Sequence, residues 1–518
     1  MLEVVHAFPP RSFAGTELYT HHMARALSAL GHSVQVLYPV FEAGHAPLAL
    51  TRGHWNGVDV IELQRGTAAE PGEFWNRELD PVLAKLLRTE HYDVVHFQHL
   101  ANLSASWLEV ARDAGVPSVL KVDDMYLYCA RHHLVGGDEQ YCAAGPESVE
   151  KCTRCCFGPR AGRSEHDGMA RRFEVLRRAA FAASAVHCAS RFVREDGLRH
   201  GALPQSAEVI HTGIEPFARA PRRPGDGRVR VGYLGAIHAR KGVRVLLEAV
   251  RRVRESALSA RLELVLRGYA ADDRGLLRAV ESLARTGALS YGGPFSPDDR
   301  SEIFAGLDVL VAPSLGENYP FVLREALHAG VPVIATRIAG VPEIVREGVN
   351  GFLVPPGDAE ALATLLLRIA ADPACLGRLR PDVAPVKTIA EEAREVADLL
   401  ARVCGRGSSA PIDALMRVGA YARAQQLLEA ELASRGPSAP LLLRLGVAAF
   451  RQGKLEHAFE VLAQASQHAP VDADVIVSHV AVAHELGRVP ELVPAIVRAH
   501  RANPEDAELA ALFHALCE

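Results

Sequence analysis

Short apolar runs alternate with amphipathic helical segments along the first 220 residues of the chain. Strand-like runs begin near Val34, Val94 and Pro117, and helical periodicity covers residues 16–30 and 76–89. Strands that alternate with helices at this spacing are typical of βαβ units. The pattern therefore predicts a parallel sheet covered by helices.

A second βα series follows a linker at residues 220–227 that is rich in proline, glycine and charge. The strands predicted for it are residues 228–235, 262–266, 309–312 and 332–336. Ligands of doubly wound folds bind at the carboxyl ends of the strands. Two such domains, at 1–220 and 221–404, therefore predict a ligand cleft between them.

Beyond a second linker at residues 405–411 the sequence repeats. Two series of positions are 34 residues apart: Gly419, Gly453 and Gly487, and Pro470 and Pro504. This period resembles the tetratricopeptide repeat, in which small residues let two helices pack closely. Three units over 411–518 predict an all-α solenoid that folds on its own and binds a protein partner. Pro494 lies inside a predicted helix, where proline is expected to cause a kink. Three unrelated helical hairpins are the alternative.

The composition of the chain excludes several classes of protein. Hydrophobic residues make up 49% and charged residues 23% of the 518 residues, which excludes a disordered or collagenous chain. The net charge of −5 argues against a nucleic-acid partner. No stretch approaches the ~18 apolar residues of a membrane span. Residues 1–5 read as a strand rather than a signal peptide. We therefore expect a cytoplasmic protein that is at most peripheral to the inner face of a membrane.

The nine cysteines are unevenly spread, with five of them between residues 129 and 156. Cys152 and Cys155 have the spacing of a zinc knuckle, and Cys129 and Cys142 would complete four thiolates. Residues 131–163 read as a loop with little apolar content, for which a structural zinc would supply the missing core. Buried or free thiols are the alternative.

Residues 314–327 carry the most specific pattern. Glu317 lies in a loop after a predicted strand, a helix is expected to open at Pro320, and Glu325 follows on that helix. The start of such a helix directs backbone N–H groups at an anion. Two carboxylates at this spacing accept hydrogen bonds from hydroxyls at two ends of one ligand, such as a sugar nucleotide. Glu325 as an ordinary solvated residue is the alternative.

This segment resembles the paired-glutamate motif of the retaining glycosyltransferases of family 4, which have the two-domain GT-B fold. Other segments resemble that family in the same order along the chain: residues 13–17, 209–215, 235–242, 339–343 and 350–354. The resemblance covers about residues 1–400. It implies an α/β fold of two Rossmann-like domains facing a cleft, with the solenoid attached at the C-terminus.

The resemblance also implies the donor site. The residues assigned to binding the nucleotide sugar are Gly15, Arg240, Lys241, Asn318, Tyr319 and Glu325. Lys241 and the start of the following helix would face the diphosphate together. The family commonly carries an arginine where this chain has Ala236, and Arg240 is expected to supply that charge. Gly15 lets the backbone approach the ligand.

The residues assigned to chemistry are Glu317, Asp123 and His99. Asp123 replaces a histidine that in the family is thought to contact the donor sugar. An aspartate accepts hydrogen bonds from hydroxyls but cannot donate one as imidazole does. His99 or His96, at the end of an earlier strand, is expected to line the acceptor side, with a packing or capping role as the alternative.

The sequence therefore predicts a retaining glycosyltransferase that uses a UDP- or GDP-sugar and a glycan or lipid-linked acceptor in surface glycan synthesis. Catalysis in this family needs no protein-bound metal, so zinc would be structural. A sugar-nucleotide epimerase of the same fold is disfavoured by the paired glutamates and by residues 340–343. A catalytically weak protein that acts as a scaffold through its repeats is the alternative from another class.

Overall fold

The computed structural model describes residues 1–42, 46–66, 73–143, 145–223, 226–270, 273–406, 412, 415–416, 419–504 and 506–517. Residues 224–225 and 407–411 of the two predicted linkers lie outside this set. The chain divides into two compact units. The first unit comprises Met1–Val82, Val94–Leu108 and Ser118–Leu400, and the second comprises Leu83–Asp93, Glu109–Pro117 and Ala401–Glu518.

The N-terminal half of the first unit is built on an eight-stranded sheet of order β3-β4-β2-β1-β5-β6-β7-β8. Its strands are β1 (Leu2–Val4), β2 (Gln35–Val40), β3 (Leu50–Trp55), β4 (Val58–Gln64), β5 (Val95–Phe97), β6 (Ser118–Val122), β7 (Ala185–Cys188) and β8 (Glu208–Val209). The helices are α1 (Gly15–Ala29), α2 (Asp80–Thr89), α3 (Trp107–Asp113), α4 (Val149–Phe157), α5 (Arg163–Ala182) and α6 (Arg191–Arg199). All strand pairs are parallel except β3 with β4.

The predicted parallel sheet is confirmed, with two differences. The hairpin of β3 and β4 was not predicted, because four of the six β3 residues are exposed and the strand lacks an apolar side. The prediction of a loop over residues 131–163 is wrong at α4. That helix begins after Ser148, whose hydroxyl accepts a hydrogen bond from the Lys151 N–H at 3.1 Å.

A chain of polar side chains lies inside this sheet, where apolar residues are the rule. The Glu3 carboxylate accepts hydrogen bonds from Nδ1 of His96 at 3.1 Å and from Nε2 of Gln98 at 2.7 Å. Nε2 of His96 lies 3.0 Å from Nε2 of His187 on β7. All four side chains are fully buried. The pairing of β1 with β5 sets Glu3 directly opposite His96.

The second half of the first unit is a six-stranded parallel sheet of order β11-β10-β9-β12-β13-β14. Its strands are β9 (Val229–Leu234), β10 (Leu262–Arg267), β11 (Ser290–Tyr291), β12 (Val309–Ala312), β13 (Val333–Thr336) and β14 (Gly351–Val354). The helices are α7 (Val243–Arg254), α8 (Arg274–Arg285), α9 (Arg300–Ala305), α10 (Phe321–His328), α11 (Val341–Ile344), α12 (Ala359–Ala371), α13 (Ala374–Gly377) and α14 (Ile389–Arg406). All four strands predicted here are present.

The second unit is helical. Its helices after α14 are α15 (Tyr421–Arg435), α16 (Ala439–Phe450), α17 (Leu455–His468), α18 (Ala473–Glu485), α19 (Val493–Ala502) and α20 (Ala507–Cys517). Gly419, Gly453 and Gly487 share one left-handed conformation, with φ of 76°, 75° and 68°, which glycine adopts without strain. The 34-residue period is thus also a period of the backbone.

Two further details concern these helices. Pro494 lies in the first turn of α19, where its missing N–H costs nothing, so the predicted kink is wrong. The likeness to tetratricopeptide repeats stays a prediction.

No helix in the described part of the chain combines the length and apolar character that crossing a bilayer requires.

Candidate active site

The loop after β9 is held against the end of β12. Gly242 has φ of 72°, and a Cβ there would lie 1.7 Å from the Pro313 carbonyl oxygen, so only glycine fits. The Leu315 N–H donates to the Arg240 carbonyl at 2.8 Å. This contact places Arg240 and Lys241 beside the segment that carries Glu317.

Lys241 and Glu317 form a direct ion pair, in which Nζ of the lysine donates to Oε1 of the glutamate. Their side chains are 28% and 14% exposed. Burial by itself would raise the pKa of Glu317, but the charges of Lys241 and Arg240 outweigh burial and hold that pKa below its usual value. Nη1 of Arg240 donates to the Gly316 carbonyl at 3.3 Å. The structure thus brings together the two residues expected at the diphosphate and at the sugar.

Glu325 lies on α10, which begins at Phe321, one residue after the predicted start. Its carboxylate accepts a hydrogen bond from Nη1 of Arg300 at 2.5 Å, and only 17% of its side chain is exposed. Glu325 is therefore not an ordinary solvated residue. Arg300 was missed, because nothing in the sequence connects a residue of α9 with Glu325.

Asn318 connects the two halves of the first unit. Its Nδ2 donates to the Asp123 carbonyl at 2.8 Å, and its Oδ1 accepts from the Ser190 hydroxyl at 2.6 Å. Both polar ends of the amide are thus engaged within the protein. The ring of Tyr319 packs against His211 and lies 4.6 Å from the guanidinium of Arg324. Donor binding by Asn318 and Tyr319 stays a prediction.

Residues that follow β1 and β6 contact this segment. Gly15 opens α1, and a Cβ at that position would lie 3.7 Å from the Phe321 ring, the first residue of α10. Asp123, just after β6, is 22% exposed and accepts a hydrogen bond from Nζ of Lys121 at 2.9 Å. The hydrogen bond from Asn318 ties the Asp123 backbone to the residue after Glu317, and contact of Asp123 with a donor sugar stays a prediction.

His99, Asp124 and His132 are the one group among the described residues whose potential metal-ligand atoms lie within 4.8 Å of one another. However, Nδ1 of His99 accepts a hydrogen bond from the Ala101 N–H at 3.1 Å. The neutral ring therefore carries its proton on Nε2, which faces Asp124 at 3.7 Å and has no lone pair for a metal. The group fits hydrogen bonding better than metal binding.

His132 and His133, at the same edge, are uncharged at neutral pH. Burial lowers the pKa of His132 to about 4, and burial together with Arg240 lowers that of His133 to about 3. His133 also covers the loop before Glu317, because a Cβ on Gly316 would lie 2.7 Å from the His133 carbonyl oxygen. The cysteine-bearing insertion thus forms part of the wall of the site.

The four cysteines predicted to bind zinc form no disulfide with another described cysteine. Burial, with the neighbouring thiols adding to it, raises the pKa of Cys152 to about 12. Within the described residues, no three of the sulfurs of Cys129, Cys142, Cys152 and Cys155 come within 4.8 Å of one another. The arrangement is looser than a tetrahedral zinc site requires, and zinc binding stays a prediction.

Glu343 has a role that its motif did not reveal. Its carboxylate accepts hydrogen bonds from the N–H groups of Arg191 and Phe192 at 3.0 and 2.8 Å, and from Nε2 of His211 at 3.0 Å. It therefore caps the start of α6. Its partners lie more than 130 residues away in sequence, so no local signal identifies them.

Two family models and several known glycosyltransferases match parts of this chain. A family model described as Glycosyltransferase Family 4 matches residues 13–216, and one described as Glycosyl transferases group 1 matches residues 228–372. A D-inositol 3-phosphate glycosyltransferase of Streptomyces bingchenggensis is 32% identical over 35% of this chain and 44% of its own length. The protein of that name from Streptomyces griseus is 29% identical over 70% of this chain and 79% of its own.

Solved structures show the fold. Sucrose-phosphate synthase from Thermosynechococcus elongatus superimposes with a TM-score of 0.55 at 20% identity, over 78% of this chain and 99% of that one. WaaG, a glycosyltransferase involved in lipopolysaccharide biosynthesis, gives 0.52 at 16% identity, over 77% and 99%. The two parallel sheets of the first unit are therefore a GT-B-like fold, as predicted.

Proposed function

We propose that the first unit is a glycosyltransferase of the family 4 type, and that the protein transfers a sugar from a nucleoside-diphosphate sugar to an acceptor hydroxyl with retention of configuration. The observation that supports this most directly is the Lys241–Glu317 pair. It joins a cation in the turn before α7 to a carboxylate in the loop before α10. Both helix starts favour negative charge.

In this proposal, Lys241 and Arg240 bind the diphosphate, and Glu317 is then free to accept hydrogen bonds from the sugar. Glu325, steadied by Arg300, accepts hydrogen bonds at the nucleoside end of the donor. The bond between the anomeric carbon and the phosphate oxygen breaks, and the acceptor oxygen bonds to that carbon on the same face. The leaving phosphate takes the acceptor's proton. Most of the acceleration then comes from positioning and from stabilising charge on the leaving group.

The acceptor side is assigned to the edge that carries His99 and Asp124. We propose a UDP- or GDP-sugar as donor and a glycan or lipid-linked acceptor in glycoconjugate synthesis, with the helical repeats binding a protein partner or recruiting the acceptor. The alternative is a scaffold protein, in which the repeats carry the function and the donor site is inactive.

A screen of UDP-, GDP- and ADP-sugars for hydrolysis, with calorimetric titration of the matching nucleoside diphosphates, separates these two. In Lys241→Ala we expect binding to weaken by about 1.5–3 kcal/mol, the range for charge-assisted hydrogen bonds. Lys151→Ala is the control, because Lys151 forms a surface pair with Glu147. A wild-type protein that neither binds a nucleoside diphosphate nor hydrolyses a donor would favour the scaffold.

A further inference from the structure

A buried lysine, Lys121, forms an ion pair with the carboxylate of Asp123. Lys121 precedes it by two residues, so both side chains leave the backbone on the same side. Nζ of Lys121 lies 2.9 Å from Oδ1 of Asp123. The Lys121 side chain has no exposed surface, whereas 22% of the Asp123 side chain is exposed. The ammonium is thus inside the protein, and the carboxylate is at the surface of the site.

Asp123 is the carboxylate that accepts a hydrogen bond from the Lys121 ammonium. The other groups around the ammonium do not compete for that hydrogen bond. Nζ lies 3.7 Å from the centre of the Tyr19 ring, whose hydroxyl donates to Oε1 of Glu392 at 2.7 Å. Oε2 of Glu392 accepts from the Gly213 N–H at 2.7 Å, so that carboxylate has its own donors. His187, also near Lys121, is kept neutral because burial lowers its pKa.

We propose that Lys121 is a positioning residue that fixes the Asp123 carboxylate as an acceptor for a hydroxyl of the donor sugar, and that the site consequently selects neutral sugars over uronic acids. The inference rests on the proposed function and adds a substrate class to it. With Oδ1 bonded to Lys121, Oδ2 is the oxygen left for a ligand.

The surroundings of Asp123 support this selectivity. The hydrogen bond from Asn318 to the Asp123 carbonyl ties it to the residue after Glu317. Once a donor diphosphate draws Lys241 away, the sugar faces two carboxylates, Asp123 and Glu317. A sugar hydroxyl donates to either of them, whereas a sugar carboxylate is repelled by both. Because Lys121 is covered by protein, its ammonium cannot form a hydrogen bond with a uronate.

The test uses the full chain and measures donor hydrolysis and nucleoside-diphosphate affinity separately. The variants are Lys121→Met, Lys121→Arg, Asp123→Asn and the double variant Lys121→Met/Asp123→Asn, with Lys151→Met as surface control. In Lys121→Met we expect kcat for a neutral nucleotide hexose to fall by about tenfold or more, as misplaced groups do. Nucleoside-diphosphate affinity should stay within about twofold, and Lys121→Arg should restore most of the rate.

The double variant keeps the proposal testable if Lys121→Met folds poorly, because it removes both charges of the pair. We expect it to fold and to match Asp123→Asn in kcat. In Asp123→Asn the rate with a nucleotide hexuronate should rise relative to the matching hexose. Wild-type kcat in a folded Lys121→Met, or an equal loss of kcat with and without Asp123, would overturn the inference. If the wild type bound no nucleoside diphosphate, the proposed function itself would fail instead.

Discussion

The Lys241–Glu317 pair must open for a donor diphosphate to reach Lys241, and this predicts a variant that binds more tightly while it reacts more slowly. Glu317→Gln keeps the shape of the side chain and removes its charge. Lys241 is then no longer held by a carboxylate and is free for phosphate. The same change removes an anion from beside the diphosphate, which acts in the same direction.

The magnitude follows from the exposure of the pair. With side chains 28% and 14% exposed, the pair is partly screened, so its net contribution is about 1 kcal/mol. Since 1.4 kcal/mol is tenfold in affinity, the dissociation constant of the nucleoside diphosphate should fall about fivefold. Turnover of the sugar donor should drop in the same variant, because the amide is a weaker acceptor for sugar hydroxyls.

Isothermal titration with the best-binding nucleoside diphosphate measures the first effect, and donor hydrolysis measures the second. Glu248→Gln is the matched control, because Glu248 pairs with Arg251 and Arg252 on the exposed side of α7. Weaker nucleotide binding in Glu317→Gln, or unchanged binding with full turnover, would show that Lys241 is not restrained by Glu317 in the free protein.

Three further predictions concern other parts of the chain. Glu343→Gln should lower the free energy of unfolding by about 1.5–3 kcal/mol, measured by thermal unfolding. Burial opposes ionisation of Glu343, but hydrogen bonds from His211 and from the Phe192 and Arg191 N–H groups lower its pKa below the ordinary value of 4.5. The contribution is therefore present above pH 4.5 and is lost as the pH falls through the folded pKa. If the four cysteines close around zinc, native mass spectrometry should find about one zinc per chain, and metal-free protein with all thiols titratable would leave packing as their role. A chain truncated after Arg406 should keep nucleoside-diphosphate binding but unfold at lower temperature, because Leu83–Asp93 and Glu109–Pro117 belong to the same unit as the removed helices; an unchanged midpoint would show that the repeats are independent.

Periodicity was enough to predict the sheets, because β5, β6, β9 and β12 are mainly apolar runs that are buried on both sides. It failed for β3, which has no apolar side. It also failed for α4, whose helix depends on a cap rather than on an apolar stripe. Local sequence patterns therefore identified the strands and helices whose apolar side chains are buried.

The site was predictable only to the level of single residues. The sequence indicated Lys241 and Glu317 separately, but their pairing requires two loops to meet. Arg300 and Lys121 escaped notice, because an arginine on a helix and a lysine in a strand are read as surface residues. Their roles depend on which carboxylate the fold places beside each cation, and that information is not local.

The polar chain inside the first sheet has a consequence for how the strands find their alignment. Apolar strands slide past one another at little cost, because one aliphatic side chain replaces another. Glu3 makes β1 intolerant of one such error: shifted by two residues towards the start of β5, it would face Val94 instead of His96. A buried carboxylate deprived of its donor costs at least ~1–3 kcal/mol. The buried hydrogen bonds of Glu3 thus favour one register of β1 against β5. The hydrophobic effect alone would not distinguish that register from the shifted one.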